Sequence, residues 1–386
     1  MEFSVNSAAL TGLAEMLDRR WQDYESGRAY LKGNAHFSLT SAGVLNAIFG
    51  SHQKIVNEID AFLATAAQGF AGPCSTAVAD ANALYRHSDQ AAVLRGDAAL
   101  RVAASDPRGP VGPMAGPPSA DEVAADQTLT AAAFGDPVCP ASWYQTPPDH
   151  RADHPYQFGF FDTFSPTSWA RELIWKTTGL AANLGLLDRP YDVLADAVEP
   201  LCGDWAGYLR CADVYDNIAG AIGDTARCVT EGGRTIDRVW TGNAADACAR
   251  GLSAFAVDVA GAVDPLHRTA ATYRNVAEAV HAQAEAVAAL LTLILDEIAE
   301  TALEPETAGL SEPFALMTGA ADLMRVVGKV REVGAMVAKA HELATASMDS
   351  ASSALNGFGL VTDGHRVPAL STAVPSLPRH GSVRSQ

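Results

Sequence analysis

The sequence predicts an all-α fold built from long antiparallel helical hairpins, and three observations support this. Apolar residues recur at three-and-four spacing along most of the chain, the composition is rich in Ala with 19% charged residues, and Gly, Asn and Pro interrupt the periodic stretches. A single hairpin leaves the apolar stripe of each helix exposed to water. We therefore expect two hairpins to pack as an elongated four-helix-type bundle, with a Pro-rich linker and a disordered C-terminal tail.

The first hairpin is predicted in residues 1–103. Its first arm carries apolar and aromatic residues at helical spacing, namely Leu10, Leu13, Leu17, Trp21 and Tyr24. Asn6 is a candidate cap for this helix. After a break at residues 33–40, a second helical pattern continues to Tyr85, and Pro73 is expected to kink it.

Residues 104–158 are rich in proline, which interrupts regular structure, and they predict a largely extended linker with a short helix near residues 120–133. Two imidazoles and two carboxylates lie close together in this stretch: Asp149, His150, Asp153 and His154. A metal site needs such groups to be held rigidly, and a proline-rich stretch provides little support for that. We therefore predict a solvated loop and no metal site.

The second hairpin domain is predicted in residues 159–305. Two tryptophans of its first helix, Trp169 and Trp175, are interpreted as core anchors. Asp204 is the predicted cap of the long outgoing arm. The returning arm is expected to continue to about residue 302, with a kink at Pro265.

Trp240-Thr241-Gly242-Asn243 lies between these two arms. Gly242 can take the positive φ that reverses a helix, and Asn243 is a good cap for the helix that follows. Trp240 is large enough to fill the gap where two antiparallel helices diverge at their turn. The stretch therefore predicts a helical hairpin with an aromatic plug.

Residues 306–355 predict a C-terminal helix that packs on the bundle. At 1.5 Å per residue, a returning helix that ends near residue 302 reaches about 88 Å, against about 54 Å for the outgoing arm. The distal half of the returning helix therefore needs another partner, and the last helix is the candidate. Residues 356–386 are rich in Gly, Pro, Ser and basic residues and predict a flexible tail.

Composition and motif content exclude several classes of function. The formal net charge of −18 repels phosphate backbones and anionic lipids, so no nucleic-acid partner is expected. The longest apolar run, residues 286–295, is far shorter than a membrane span of about 20 residues, so no transmembrane segment is expected. The N-terminus shows no standard secretory signal. Since no catalytic motif, Gly-rich cofactor turn or C-x-x-C pair occurs, we expect a non-enzymatic protein without cofactors.

Tyr85 and Asp89 lie four residues apart and share one face of a helix at the end of the first hairpin. The order of hairpin, Tyr-x-x-x-Asp, Pro-rich linker and long helices around Trp-x-Gly resembles type VII (ESX) secretion substrates of the WXG-like superfamily. It is similar to fused PE–PPE-like (EspB-type) substrates, and to WXG-like N-terminal delivery domains with an EspC-like first hairpin. The chain departs from them in lacking an N-terminal Pro-Glu dipeptide, in its longer linker, and in showing no toxin-like region after residue 355.

The resemblance implies a secreted or cell-surface protein that is cytoplasmic before type VII export. It implies that Tyr85 and Asp89 form the export signal, and that the turn at Trp240, Gly242 and Asn243 lies beside it. The membrane ATPase of the secretion system would read the two together. Because both halves occur in one chain, we expect an intramolecular pseudo-heterodimer.

Three points stay open at the level of the sequence. A separate WXG-like partner or chaperone is compatible with the resemblance. Homo-oligomerisation is a further hypothesis, since the distal helices carry apolar surface. The alternative function is an intracellular helical adaptor or structural protein in which both motifs are coincidental.

Overall fold

The computed structural model describes five ranges of the chain: residues 4–39, 43–87, 131–150, 169–302 and 320–357. These residues are almost entirely helical, which confirms the all-α fold. The long helices in them are α1 (Ser7–Asn34), α2 (Val44–Thr65), α3 (Gly72–His87), α4 (Trp169–Asn183), α5 (Trp205–Asp237), α6 (Asn243–Ala260), α7 (Val263–Ala302) and α8 (Ala320–Gly357). Two short strands, β1 (Ser4–Val5) and β2 (Trp240–Thr241), pair in antiparallel orientation.

The first hairpin consists of α1 and a second arm made of α2 and α3. Asn6 caps α1 as predicted, because its side-chain oxygen accepts a hydrogen bond from the Ala9 amide at 3.1 Å. The second arm passes through a π-helical turn, Ala66–Ala71, directly before Pro73. Pro73 has no amide hydrogen to donate to the preceding turn, and the wider π turn accommodates this loss. The predicted irregularity therefore takes the form of a π turn.

The second hairpin consists of α5 and a returning arm made of α6 and α7. Asp204 caps α5 as predicted, since its Oδ1 accepts a hydrogen bond from the Gly207 amide at 2.9 Å. The returning arm is interrupted at Gly261, and α7 begins two residues before Pro265. In the first turn of a helix the missing amide hydrogen of a proline costs no intrahelical bond. The sequence predicted a kink at Pro265, whereas the arm is interrupted a few residues earlier, at Gly261 and Ala262, and Pro265 lies in the first turn of the helix that follows.

Two tryptophans of α4 do not anchor the core, contrary to the prediction. Trp169 is 68% exposed and Trp175 is 44% exposed. The buried face of α4 instead carries Ala170, Ile174 and Thr177. α4 packs against α7 and α8, and these contacts select the face with smaller side chains. Helical periodicity did not distinguish the two faces because both carry apolar residues.

The two hairpins pack directly against each other. α1 lies against α3 of its own hairpin and against α5 of the second hairpin, and α5 also packs on α6 and α7. α8 packs along α7 and contacts α2. The last helix therefore provides the partner that the distal part of the returning arm was expected to need. One continuous apolar core extends from Leu10 in α1 to Met348 in α8.

Residues 131–150, which we call the strap, differ from the extended linker that the sequence predicts. The strap contains two 3₁₀ turns, Ala131–Phe134 and Pro140–Trp143, and packs on α1 and α5. Phe134 is only 3% exposed. Of the short helix predicted near residues 120–133, the described residues belong to the first 3₁₀ turn. The strap is thus part of the packed structure.

His52 of α2 lies in the core where several helices meet. Its Nδ1 is 2.7 Å from the hydroxyl oxygen of Tyr273 in α7, and Tyr208 of α5 stacks on Tyr273 at a ring-centroid distance of 4.5 Å. The Tyr208 hydroxyl donates to the sulfur of Met348 in α8. Because burial disfavours the charged imidazolium, the pKa of His52 falls to about 4. A neutral imidazole therefore contributes to the contact between the two hairpins and α8.

This buried imidazole predicts a loss of stability in acid. A histidine in the unfolded chain binds a proton near pH 6.5, whereas His52 in the folded chain binds one only near pH 4, so protonation favours unfolding across that window. The pKa difference corresponds to about 3 kcal/mol. We expect the free energy of unfolding, measured by urea denaturation, to fall more between neutral and acidic pH in the wild-type chain than in a His52→Asn variant. Equal falls in the two proteins would contradict this assignment.

One helical stretch among the described residues, Asn243–Glu300, is long and apolar enough to cross a membrane by length and composition, with a mean hydropathy of 1.4 in its most apolar window. It contains α6 and most of α7. Core helices of soluble proteins meet the same criterion, and 39% of that window is buried inside the protein. The expectation of no transmembrane segment therefore stays a prediction.

Candidate recognition site

Tyr85 and Trp240 lie together where the end of α3 meets the connection between α5 and α6. α3 ends at His87, two residues after Tyr85, and α5 ends at Asp237, shortly before Trp240. In the connection the chain forms β2, which pairs with β1 so that Val5 opposes Trp240. The connection is therefore not the plain helix–helix turn that the sequence predicts, because the N-terminal residues add a strand to it.

Trp240 fills the space at this connection, as predicted. Its side chain is 4% exposed, and the Tyr85 ring meets it edge-on, at a centroid distance of 6.2 Å and an interplanar angle of 74°. Edge-to-face aromatic pairs contribute about 0.5–1.5 kcal/mol beyond the burial of their area. Tyr85 as a whole is half-buried. Asp89, its predicted companion in the signal, lies outside the described residues.

Gly242 has φ 120° and ψ 175°, a conformation that is open almost only to glycine. The predicted positive φ is therefore confirmed. The prediction that Asn243 caps α6 is wrong, because Asn243 is the first residue of the helix and Gly242 is the cap. The Gly242 carbonyl accepts a hydrogen bond from the Asp246 amide at 3.0 Å. The physical reason is that the freedom of glycine lets the chain turn into the helix one residue earlier.

The turn of the first hairpin also contains a glycine with positive φ, which the sequence analysis did not identify. Gly43, directly before α2, has φ 125° and ψ 169°, close to the values of Gly242. A Cβ at Gly43 would lie 3.0 Å from the carbonyl oxygens of Glu199 and Cys202, which precede α5. The segment before α5 thus meets the turn of the first hairpin at Gly43, and β1 before α1 meets the turn of the second hairpin at Trp240. A glycine at the end of a break in the helical pattern is the signal that indicates such a turn.

Asn82 holds the end of α3 in place, and sequence reasoning did not identify it. It is 7% exposed and lies one turn before Tyr85. Its Nδ2 donates to the Ser7 carbonyl at 3.1 Å and to Thr11 Oγ1 at 2.9 Å, and its Oδ1 accepts from the Ser7 hydroxyl at 2.7 Å. The end of α3 is thereby fixed to the start of α1, which β1 joins to the Trp240 connection. Asn82 is therefore a positioning residue for Tyr85.

A second aromatic pair joins the π turn before α3 to α6. Phe70 stacks on Phe255 with a ring-centroid distance of 3.8 Å and an interplanar angle of 10°. This pair lies about four helical turns from the pair of Tyr85 and Trp240. From this pair to the pair of Tyr85 and Trp240, the residue numbers rise in the second arm and fall in α6 and the connection before it, so the two segments run in opposite directions. Contacts at both ends therefore set the register that brings Tyr85 to Trp240.

The two cysteine thiols between these aromatic pairs, Cys74 and Cys248, are poor nucleophiles near neutral pH. Burial raises the pKa of Cys74 on α3 and of Cys248 on α6 to about 12 in each case. Neither side chain is a thiolate near neutral pH, and the thiolate is the nucleophilic form. These two cysteines accordingly support packing and not nucleophilic catalysis.

The histidine and carboxylate cluster predicted in the linker is only partly described. His150 ends the strap and pairs with Asp213 of α5, while Asp153 and His154 lie outside the described residues. Within the described ranges no group of three or more side chains is suited to hold a metal ion.

The site therefore consists of a half-buried phenol and a buried indole at a connection that β1 and Asn82 hold in place. Such a surface can recognise a partner through shape and aromatic contact. Comparison with family models, with curated proteins and with solved structures finds no match to this chain.

Proposed function

We propose that this chain is a non-enzymatic substrate or delivery module of type VII (ESX) secretion, recognised through a composite signal from both hairpins. The observation that carries the proposal is the edge-on contact between Tyr85 and Trp240 at 6.2 Å. It joins two motifs that are far apart in the sequence into one surface. One chain would thereby present the surface that two hairpin proteins present together in the family it resembles.

The recognition energy would come from two groups. A receptor that covers the accessible part of Tyr85 buries an aromatic ring whose other edge is already fixed against Trp240, so little rotamer entropy is lost. Asp89 would accept a charge-assisted hydrogen bond. The receptor in this proposal is the membrane ATPase of the secretion system.

The signal in this proposal depends on the folded protein. Tyr85 is held against Trp240 by the pairing of β1 with β2 and by the hydrogen bonds of Asn82 to the start of α1. Separation of the hairpins would leave the phenol without its support. We therefore infer that the protein is recognised with its hairpins paired.

Export is expected to fall about tenfold or more in Tyr85→Ala and in Asp89→Ala variants, because each removes a central recognition contact. The measurement compares the chain in culture filtrate with the chain in cell lysate, in a host with a working type VII system. Leu84→Ala is the matched control, since Leu84 neighbours Tyr85 on α3 and is 36% exposed. Its export should equal that of the wild type.

Thermal unfolding of the purified Tyr85→Ala protein separates loss of a signal from loss of the fold. Unchanged export of both the Tyr85→Ala and Asp89→Ala variants would contradict the signal assignment. Retention of the wild-type chain in the cytosol, bound to a stable partner, would favour the adaptor function.

A further inference from the structure

A groove runs between α1 and α5, and the strap fills it. At one end Phe134 lies over Gly12 of α1. Further on, the Val138 carbonyl faces Cys228 of α5, and Trp143 then lies over Gly220 of the same helix. The strap therefore runs parallel to α1 and antiparallel to α5, and it contacts both walls over several helical turns.

Glycines in the walls of the groove make room for the large side chains of the strap. The pairs are Gly12 with Phe134, Gly27 with Tyr144, and Gly220 with Trp143. A Cβ at any of these glycines would lie 2.6 Å from an atom of the paired aromatic side chain, far inside van der Waals contact. Glycine inside a helix costs about 1 kcal/mol relative to alanine. The groove thus has a shape that is complementary to the strap at the expense of helix propensity.

Charge complementarity adds specificity at the middle of the groove. Arg20 of α1 is 1% exposed, and its Nη2 lies 2.8 Å from Asp136 of the strap. Arg19 donates from Nε to Asp136 at 2.9 Å and from Nη2 to the Phe134 carbonyl at 2.6 Å. Asp23 also pairs with Arg20, and burial raises the pKa of that carboxyl to about 6 against the opposing effect of Arg20. The strap therefore supplies a carboxylate to a buried guanidinium.

Polar contacts also hold the far end of the strap. The Trp143 indole donates from Nε1 to Asp224 at 2.8 Å, and the Tyr144 ring packs on Tyr30 at a centroid distance of 5.4 Å. These contacts, the glycines that face the aromatic side chains, and Arg19 and Arg20 together form a built site for a peptide with the two 3₁₀ turns of the strap.

We propose that the groove between α1 and α5 is a binding site for peptides with the pattern of the strap, and that residues 131–150 of a second copy of this chain fill it in trans. The strap is tied to the rest of the chain on both sides. Residues 88–130 can span at most about 140 Å, and residues 151–168 at most about 60 Å. The two ends of the first connection lie close together, because Asn82 contacts the first turns of α1 and Ala131 lies at Gly12. The shorter connection sets the limit, and it permits the strap to reach the groove of a copy that lies directly alongside. Reciprocal exchange would join two copies with two-fold symmetry and no new contact surface.

This inference is independent of the proposed export function, because it concerns a different surface. Within one copy the strap is covalently attached beside its own groove, which gives it a high effective concentration there, so the cis arrangement dominates. Exchange becomes measurable when the groove of one copy can no longer hold its own strap and the strap of another copy can no longer bind its own groove.

The first experiment tests whether the wall glycines make room for the strap, and it uses a groove variant, Gly12→Ala/Gly220→Ala. Both substitutions favour the helices but place a methyl group where the strap lies. Cys228 is 2% exposed, and its thiol faces the strap. We expect alkylation of Cys228, followed by mass spectrometry of its peptide, to become at least about tenfold faster in the groove variant.

The matched control is Gly33→Ala/Gly223→Ala, on the same two helices. A Cβ at Gly33 would meet nothing within 4 Å, and one at Gly223 would make an ordinary contact at 3.7 Å. This control should alkylate like the wild type. An equal alkylation rate in the groove variant and the wild type would show that the strap does not depend on these glycines for its place in the groove.

The second experiment tests the trans occupant by complementation. The groove variant keeps an intact strap, and a strap variant, Phe134→Ala/Trp143→Ala, keeps an intact groove. Each alone should sediment as a monomer, and the equimolar mixture should contain a one-to-one complex. The complex should also slow Cys228 alkylation in the strap variant. A mixture of two folded variants that stays monomeric would overturn the trans proposal, as would self-association of the groove variant alone.

Discussion

Replacement of Trp240 by alanine is expected to lower the free energy of unfolding by about 3–5 kcal/mol. The indole is 4% exposed, packs against Tyr85, and lies in the strand that pairs with β1. Its removal therefore leaves a cavity where the end of α3, the start of α1 and the connection between α5 and α6 meet. Urea denaturation of the purified protein measures the loss.

Two further variants define what the indole contributes. Trp169→Ala is the matched control, because Trp169 is 68% exposed and its loss should change stability by less than about 0.5 kcal/mol. The Trp240 Nε1 has no hydrogen-bond partner among the described residues. Trp240→Phe should therefore cost much less than Trp240→Ala, since it loses volume and no hydrogen bond. A small effect of Trp240→Ala, similar to that of Trp169→Ala, would show that the connection does not depend on the indole.

Gly242→Ala is expected to destabilise the fold by about 2–3 kcal/mol, because an L-residue at φ 120° and ψ 175° is strained. Gly43→Ala should have an effect of the same sign. Gly43 has nearly the same backbone conformation, and its Cβ would lie 3.0 Å from carbonyl oxygens of the segment before α5. Chemical denaturation of each single variant measures these effects.

Gly251→Ala is the control with the opposite expected sign. Gly251 lies inside α6, and a Cβ there would meet nothing within 4 Å. Alanine should therefore stabilise the helix by about 0.5–1 kcal/mol. If Gly242→Ala were as harmless as Gly251→Ala, the positive φ at Gly242 would not be required for the fold.

These stability predictions bear on the proposed signal. Variants of Trp240 or Gly242 alter the support of Tyr85, whereas Tyr85→Ala removes the phenol and leaves that support in place. A variant that loses export but keeps its stability identifies a residue that the receptor contacts. A variant that loses both export and stability identifies a residue that holds the site together. Export and unfolding therefore need to be measured on the same variants.

The strap changes how the linker is understood. Residues 131–150 occupy a groove in which three glycines face aromatic side chains of the strap and a buried arginine pairs with Asp136. They therefore hold α1 of the first hairpin against α5 of the second. A chain that carries both hairpins can use such a segment to determine which hairpin pairs with which. The exchange of the strap between copies that we propose would use the same contacts.

Helices, caps and interruptions followed from the sequence, because they depend on residues that are close along the chain. Asn6 and Asp204 cap the helices that they were expected to cap. Pro73 lies at the expected irregularity, since a missing amide hydrogen acts locally, whereas Pro265 lies a few residues after the interruption of its arm. The positive φ of Gly242 was predictable for the same reason, although the cap itself lay one residue earlier than expected.

Contacts between distant residues were decided only by the tertiary structure. Periodicity could not choose the buried face of α4, so Trp169 and Trp175 were wrongly assigned to the core. It also could not show that Asn82 binds the start of α1, or that the strap fits between Gly12 and Gly220. The pattern of side chains along one helix determines which faces are apolar, but the partner that buries a face is set by the packing of all helices together. For this chain, local chemistry determined the helices, and packing decided which of them meet at Tyr85 and at the strap.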